Sequence, residues 1–261
     1  MRRRILFIGI VAVAVIAVVS AVIYVETSYT VPILMYHSIN NDAGATKLSV
    51  SPEDFARQME FLHKNHYNVV PLEKAVPFIK KKERPPQKTI AITFDDGFRD
   101  NYVYAYPVLK RYDIPATIFV VMDWVGTSPK YMDWDEIKEM SDSGLIAIGS
   151  HTNEHHWLLD SDEDILKAEV EGSKKTLESR IGRKVNVFCY PMGRFDERSK
   201  KAVEAAGYLC AVSTNSGDVS LDDVYGINRV RISRSSGNLF IFWAETTRCY
   251  AWFKQFRKVV S

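Results

Sequence analysis

Several things are scarce in this chain. Only three of its 261 residues are cysteine, at Cys189, Cys210 and Cys249, too few for the disulfide framework on which small exported domains depend. At most one pair could form, and none is expected. Charge of one sign is not in excess: 34 Lys and Arg face 32 Asp and Glu, a net +2. The chain therefore has no polyanion-seeking surface, and nucleic acid is excluded as a partner. No linker is long enough to divide it. Charge is missing altogether from Ile5 to Val25, where "ILFIGIVAVAVIAVVSAVIYV" follows Arg2, Arg3 and Arg4. As a helix this run would be about 30 Å long, enough to span a bilayer core. Val19-Ser20-Ala21 resembles a cleavage site, but the run continues past it and exceeds the usual signal-peptide core, so an uncleaved anchor is expected. No cysteine lies near it, so lipoprotein attachment has no acceptor. The arginines should stay cytoplasmic, placing the chain after Val25 outside the membrane. Residues 1–29 thus read as basic tip, transmembrane anchor and tether, and residues 30–261 as one catalytic domain.

After the tether, strand-like and helix-like segments alternate. "VPILMYHSI", "YNVVPL", "TIAITF", "ATIFVV", "LIAIGS", "VNVFCYP" and "YLCAVST" read as strands. Between them "SPEDFARQMEFLHKNH" opens with Ser51 as N-cap and Pro52 at the first helical position. "NYVYAYPVLKRY", "DWDEIKEMSDSG", "DEDILKAEVEGSKKTLESRIG" and "DERSKKAVEAAG" are further helices. Such alternation predicts an α/β fold, a parallel sheet or a (β/α) barrel, with functional groups at the C-terminal strand ends.

Those ends carry the chemistry. "TIAITF" runs into Asp95 and Asp96, with Gly97 permitting a turn. A plain polar turn, with Asp100 capping the next helix, is the alternative. "LIAIGS" runs into "HTNEHHWLL", with His151 and His155 four apart, and "VNVFC" into "YPMGRF". Two histidines and one carboxylate make a metal site with an open position, suited to zinc. His63, His66 and His156 read as solvated residues.

"TFDDG", "HTNEH" and "YPMG" resemble, in order and spacing, the first three motifs of the NodB-homology polysaccharide deacetylases, carbohydrate esterase family 4. The resemblance spans Ile33 to Arg231. It implies a distorted (β/α) barrel, a divalent metal (zinc, with cobalt, nickel and iron as alternatives) and removal of N-acetyl groups from an N-acetylhexosamine polymer by a monomer. It implies Asp95 as general base, Asp96, His151 and His155 as metal ligands, and a backbone N–H near Tyr190, beside Pro191, as oxyanion donor.

Two departures stand out. No histidine follows His156, so the usual C-terminal acid is missing. His37 in "PILMYHSI" takes its place as candidate acid, and this N-terminal M-Y-H resembles the branch acting on poly-β-1,6-N-acetylglucosamine. The third motif has Cys189 where arginine is common, and Arg229 or Arg231 in "INRVRI" is the candidate replacement, with Arg231 assigned to the oxyanion and substrate side. The alternatives are a peptidoglycan or chitooligosaccharide deacetylase, a catalytically silent polysaccharide-binding relative, and an H-x-x-E-H metallopeptidase with Glu154 as base. The last needs its histidines on one helix. Phe98, Tyr102, Trp124, Trp134, Trp157 and Phe195 fall near loop ends, where they could stack on sugars or simply pack.

Overall fold

Every residue of Thr89–Phe94 is buried in the computed structural model, as a strand covered on both faces requires. The structure describes residues 2–26, 30–42, 46–214 and 223–256. Among these, the strands are β1 (Ile33–Tyr36), β2 (Asn68–Val69), β3 (Thr89–Phe94), β4 (Ala116–Val120), β5 (Ile146–Ser150), β6 (Val187–Cys189), β7 (Cys210–Val212) and β8 (Val230–Arg231). All pairings between them are parallel, in the order β7-β6-β5-β4-β3-β1-β8, with β2 against β3 beside that path. The residues leading into β8 return to the opposite edge: Ile227 bridges Val212, and Ser213 N donates to Ile227 O at 2.8 Å. The sheet thereby curls into a half-barrel of parallel strands.

Register decides what emerges together. Tyr36 stands opposite Phe94, so His37 and Asp95 leave β1 and β3 at one level, with Asp95 N donating to Tyr36 O at 3.0 Å. Val120 stands opposite Ser150, and Ser150 opposite Phe188, which brings His151 and Cys189 to the same rim.

The helices are α1 (Arg2–Glu26), α2 (Pro52–Lys64), α3 (Leu72–Lys81), α4 (Tyr106–Tyr112), α5 (Trp134–Asp142), α6 (Glu163–Lys167), α7 (Ser173–Ile181), α8 (Glu197–Ala205), α9 (Leu239–Glu245) and α10 (Arg248–Phe256). Ser51 caps α2 as expected, accepting from Asp54 N, and α2 buries Phe55, Met59 and Leu62. Each such side chain contributes about 1.5–3 kcal/mol of hydrophobic burial. Two segments expected as single helices contain π turns: Asn101–Ala105 before α4, and Ala168–Gly172 between α6 and α7. Asp100 makes no cap bond. Its carboxylate accepts instead from Ile39 N at 3.0 Å, Asn40 Nδ2 and Ser38 Oγ, tying the loop after His37 to the end of β3. Three helices and one strand carry no clear sequence signal: α3 contains Pro77, β8 has two residues, and α9 and α10 are short.

Helix α1 is 25 residues long, and its apolar side chains from Phe7 to Tyr24 that are described are mostly exposed. Among the described residues no helix is long and apolar enough to cross a membrane; several α1 side chains, Leu6 and Val22 among them, lie outside that description. No disulfide joins Cys189, Cys210 or Cys249.

Candidate active site

The strand ends place the two neighbouring carboxylates in different surroundings. Asp96 has φ +73° and Gly97 +68°, a left-handed pair that costs the aspartate on the order of 1 kcal/mol. The turn sends Asp95 inward and Asp96 toward the histidines.

Asp95 is 2% exposed, and the fully buried Arg229 grips it with two hydrogen bonds, Nη1 to Oδ1 at 2.6 Å and Nη2 to Oδ2 at 2.7 Å. Arg229 also donates to Ser213 O, Thr93 Oγ1 and Cys189 Sγ. Burial alone would raise the Asp95 pKa, but the guanidinium outweighs it and holds the carboxyl below its usual range. The arginine missing from the third motif is thus supplied from the other side of the barrel, against the very cysteine that replaces it. It is Arg229 and not Arg231: the latter stands in register with Met35 at the exposed end of β8, close enough to His37 for its charge to lower that pKa. His37 Nε2 lies 4.0 Å from Asp95 Oδ2, and its buried Nδ1 has no hydrogen-bond partner among the described residues. Burial lowers the His37 pKa, with Asp95 opposing, so the ring is neutral at pH 7.

Asp96, His151 and His155 converge. His151 Nε2 and His155 Nε2 are 3.2 Å apart, and Asp96 Oδ1 lies 3.6 and 3.7 Å from them. Donors around a tetrahedral ion with bonds of about 2.1 Å stand about 3.4 Å apart, so the triangle has the size a zinc ion needs. The protonation pattern agrees. His151 Nδ1 donates to Cys189 O at 2.8 Å, which leaves Nε2 as a lone pair, the usual arrangement behind a metal-bound histidine. Burial pushes the His151 pKa down to about 3 and lowers that of His155. Burial and the Asp95 charge push Asp96 up to about 7, marking a carboxylate that is short of a cation. A second trio, Asp95, His151 and Cys189, also falls within ligand reach. It does not suit a metal, because Asp95 has both oxygens on Arg229 and burial holds Cys189 as the thiol.

Other expected residues are placed differently. Tyr190 N donates to Val212 O at 3.1 Å and its hydroxyl to Tyr225 O at 3.0 Å, so its backbone N–H is committed to the sheet and does not serve an oxyanion. Pro191 is buried and opens the turn Pro191–Gly193. His63 and His66 are exposed, as expected. The segment from His151 to Trp157 is not helical and Glu154 faces His156 at the surface, so the peptidase geometry is absent. Among the aromatics, Trp124 packs on His155 and Tyr131, and Phe98 stacks on Tyr131. Phe195 stacks on Tyr190, Trp134 meets Arg180, Tyr102 bonds Glu139, and Trp157 remains half exposed under Arg194. A cleft of about 420 Å³ reaches the site, lined by His37, Asp96, Phe98, Lys130, Asn40 and Asp42 among others, a volume fit for a sugar residue.

Comparison with known proteins agrees with this geometry. Residues 82–211 match the family model described as polysaccharide deacetylase. The chain is 36% identical over 231 residues to YxkH of Bacillus subtilis, whose name places it among polysaccharide deacetylases, covering 88% of this chain and 81% of that one. A poly-β-1,6-N-acetyl-D-glucosamine N-deacetylase of Staphylococcus epidermidis is 26% identical over 201 residues, covering 72% of this chain and 69% of the relative. The crystal structure of a polysaccharide deacetylase from Bacillus cereus superposes with TM-score 0.74 at 30% identity, covering 84% of this chain and 70% of that one. With the paired carboxylates, the histidine pair and this likeness together, the chain belongs to the polysaccharide deacetylase family and is a deacetylase-type hydrolase.

Proposed function

We propose that the chain removes N-acetyl groups from poly-N-acetylglucosamine or a closely similar exopolysaccharide. The observation that supports this substrate is His37, set beside Asp95 from the first strand, together with the likeness of the chain to a poly-β-1,6-N-acetyl-D-glucosamine N-deacetylase.

Asp96, His151 and His155 would hold a divalent cation, zinc by donor type, with cobalt or nickel as substitutes. Such a cation supplies an acidified water and a polarised acetamide carbonyl. Asp95, kept ionised and fixed in orientation by Arg229, accepts the proton of the attacking water as general base. Its depressed pKa means that it passes the proton on readily. His37, neutral at pH 7, must acquire its proton during turnover, and Asp95 Oδ2 at 4.0 Å is the group beside it. From Nε2 the proton goes to the departing nitrogen, which cannot leave as an anion. Phe98 and Trp124 offer faces for the sugar ring.

Acetate release tests the reading. Incubated with poly-β-1,6-N-acetylglucosamine, chitooligosaccharides and peptidoglycan, the enzyme is expected to release acetate fastest from the first, to stop under a chelator and to recover with zinc, cobalt or nickel. Undiminished turnover of metal-free protein would end the metal reading, and faster release from a β-1,4 glycan would displace the substrate.

We also propose that α1 anchors the enzyme, with Arg2–Arg4 cytoplasmic and the catalytic domain outside. Intact α1 in membrane fractions that resist alkaline extraction is the expected result; a secreted chain lacking α1 would show cleavage instead.

A further inference from the structure

The loop from His151 to His155 is strained and needs bracing. Thr152 has φ +70° and His155 +62°, left-handed conformations that cost side-chain-bearing residues on the order of 1–2 kcal/mol each. Two strained residues persist only where neighbours over-determine them. Within the loop, Thr152 Oγ1 accepts from His155 N at 3.0 Å. From outside it, Met122 N donates to Thr152 O at 3.2 Å and Asp123 N to Asn153 O at 3.0 Å, and further support comes from the π turn Ala168–Gly172, a feature that recurs at functional sites.

Glu169, the second residue of that turn, is 3% exposed. Its Oε2 accepts from two successive backbone amides, Asn153 N at 2.9 Å and Glu154 N at 3.1 Å. Its other oxygen, Oε1, lies 3.9 Å from His156 Nδ1. Next to it Ala168 O accepts from Asn153 Nδ2 at 2.6 Å, and Gly172 leaves room for that amide, since a Cβ there would stand 3.2 Å from Nδ2. Ser173, which ends the turn, shares a 2.7 Å hydrogen bond with Ser150 Oγ, and Ser150 Oγ accepts from Thr152 N at 3.2 Å. The π turn therefore holds the loop at both ends. A buried carboxylate set between two amide N–H groups is a charge-assisted anchor, stronger than a neutral acceptor.

We infer that Glu169 is a positioning residue: by gripping the amides of Asn153 and Glu154 it sets the strained loop so that His155 Nε2 meets His151 and Asp96 at ligand spacing. The inference rests on the metal reading above. Glu169 touches neither the ligand triangle nor the cleft, and none of the family motifs in this sequence includes it. The cluster of Glu154, His156 and Glu169 could also be imagined as a second cation site, and the test separates the two.

Zinc affinity of the full chain would be measured by competition with a chelator, alongside hydrogen exchange at Asn153 and Glu154 and thermal unfolding of the metal-free protein. Glu169→Ala is expected to weaken zinc about 10–100-fold, the usual cost of losing a partner that orients a ligand, and to expose both amides to exchange. Glu169→Gln, whose amide oxygen can accept from both N–H groups, should stay within about threefold of the unaltered chain, by the same standard. Glu171→Ala, which loses only the surface pair with Lys175, should change nothing. If Glu169→Ala does not fold, Glu169→Asp, whose shorter side chain cannot reach both amides, takes its place and should still weaken zinc severalfold. Unchanged zinc affinity in Glu169→Ala, or in Glu169→Asp where that is the variant at hand, would overturn the inference, whatever the unfolding temperature. A second zinc equivalent lost while the first stays would make Glu169 a ligand instead. Failure of the unaltered chain to bind zinc would sink the metal reading and this inference with it, an outcome distinct from equal binding by both chains.

Discussion

Asp95→Asn is expected to lower turnover about 10²–10⁴-fold and also to destabilise the protein by about 3–5 kcal/mol, while zinc binding stays within a few-fold. The second effect would not arise if Asp95 were only a base at a strand end. Arg229 is completely buried and has Asp95 as its carboxylate partner, and Ser213 O and Thr93 Oγ1 cannot neutralise it once that carboxylate is gone. For a chain of this size the loss corresponds to a fall in unfolding temperature on the order of 10 °C. Arg229→Met should cost a similar amount by stranding the carboxylate. The double variant Asp95→Asn with Arg229→Met should cost clearly less than the two single losses added, because neither charge is then left alone. Strict additivity in thermal unfolding would show that the pair is not coupled. The sign with pH follows from the depressed Asp95 pKa: its contribution is complete above the ordinary carboxylate range and is lost as pH falls through and below it. Asp96→Asn should behave oppositely at the metal. It should weaken zinc binding directly, and equal zinc loss in both single variants would show that the roles of the two carboxylates are wrongly divided.

His37→Ala is expected to slow release of acetate from the glycan by about 10²–10⁴, the usual worth of a general acid, without loss of metal. The amine leaving group needs a proton and His37 Nε2, beside Asp95, is the donor the fold offers. On an aryl acetate the defect should nearly vanish. A phenolate departs unprotonated, so the loss of His37 costs that reaction little whereas the loss of Asp95 still costs it heavily. Equal damage to both substrates, or loss of zinc, would make His37 structural or a ligand. It would also remove the main support for poly-N-acetylglucosamine as substrate.

By itself the sequence determined whatever a few adjacent residues can dictate. Alternation of β-branched strands and amphipathic helices implies a parallel barrel. A carboxylate pair at the end of "TIAITF", with Gly97 to permit the turn, and two histidines after "LIAIGS" imply a metal site, because the C-terminal strand ends of such a barrel face one another. Ser51 as cap of α2 is equally local. The tertiary structure alone decided the rest, since those outcomes depend on register and burial between residues far apart in the chain. Arg229, and not Arg231, reaches Asp95 because the stretch before β8 is buried between β7 and β1 while the end of β8 surfaces. Tyr190 cannot serve an oxyanion because the neighbouring strand takes its N–H. Asp100 leaves its helix uncapped because the loop after His37 offers it an amide and two side chains. Glu169 reads in sequence as one more charge on an amphipathic helix; only a π turn, invisible to a 3.6-residue pattern, turns it inward to the loop that carries His151 and His155.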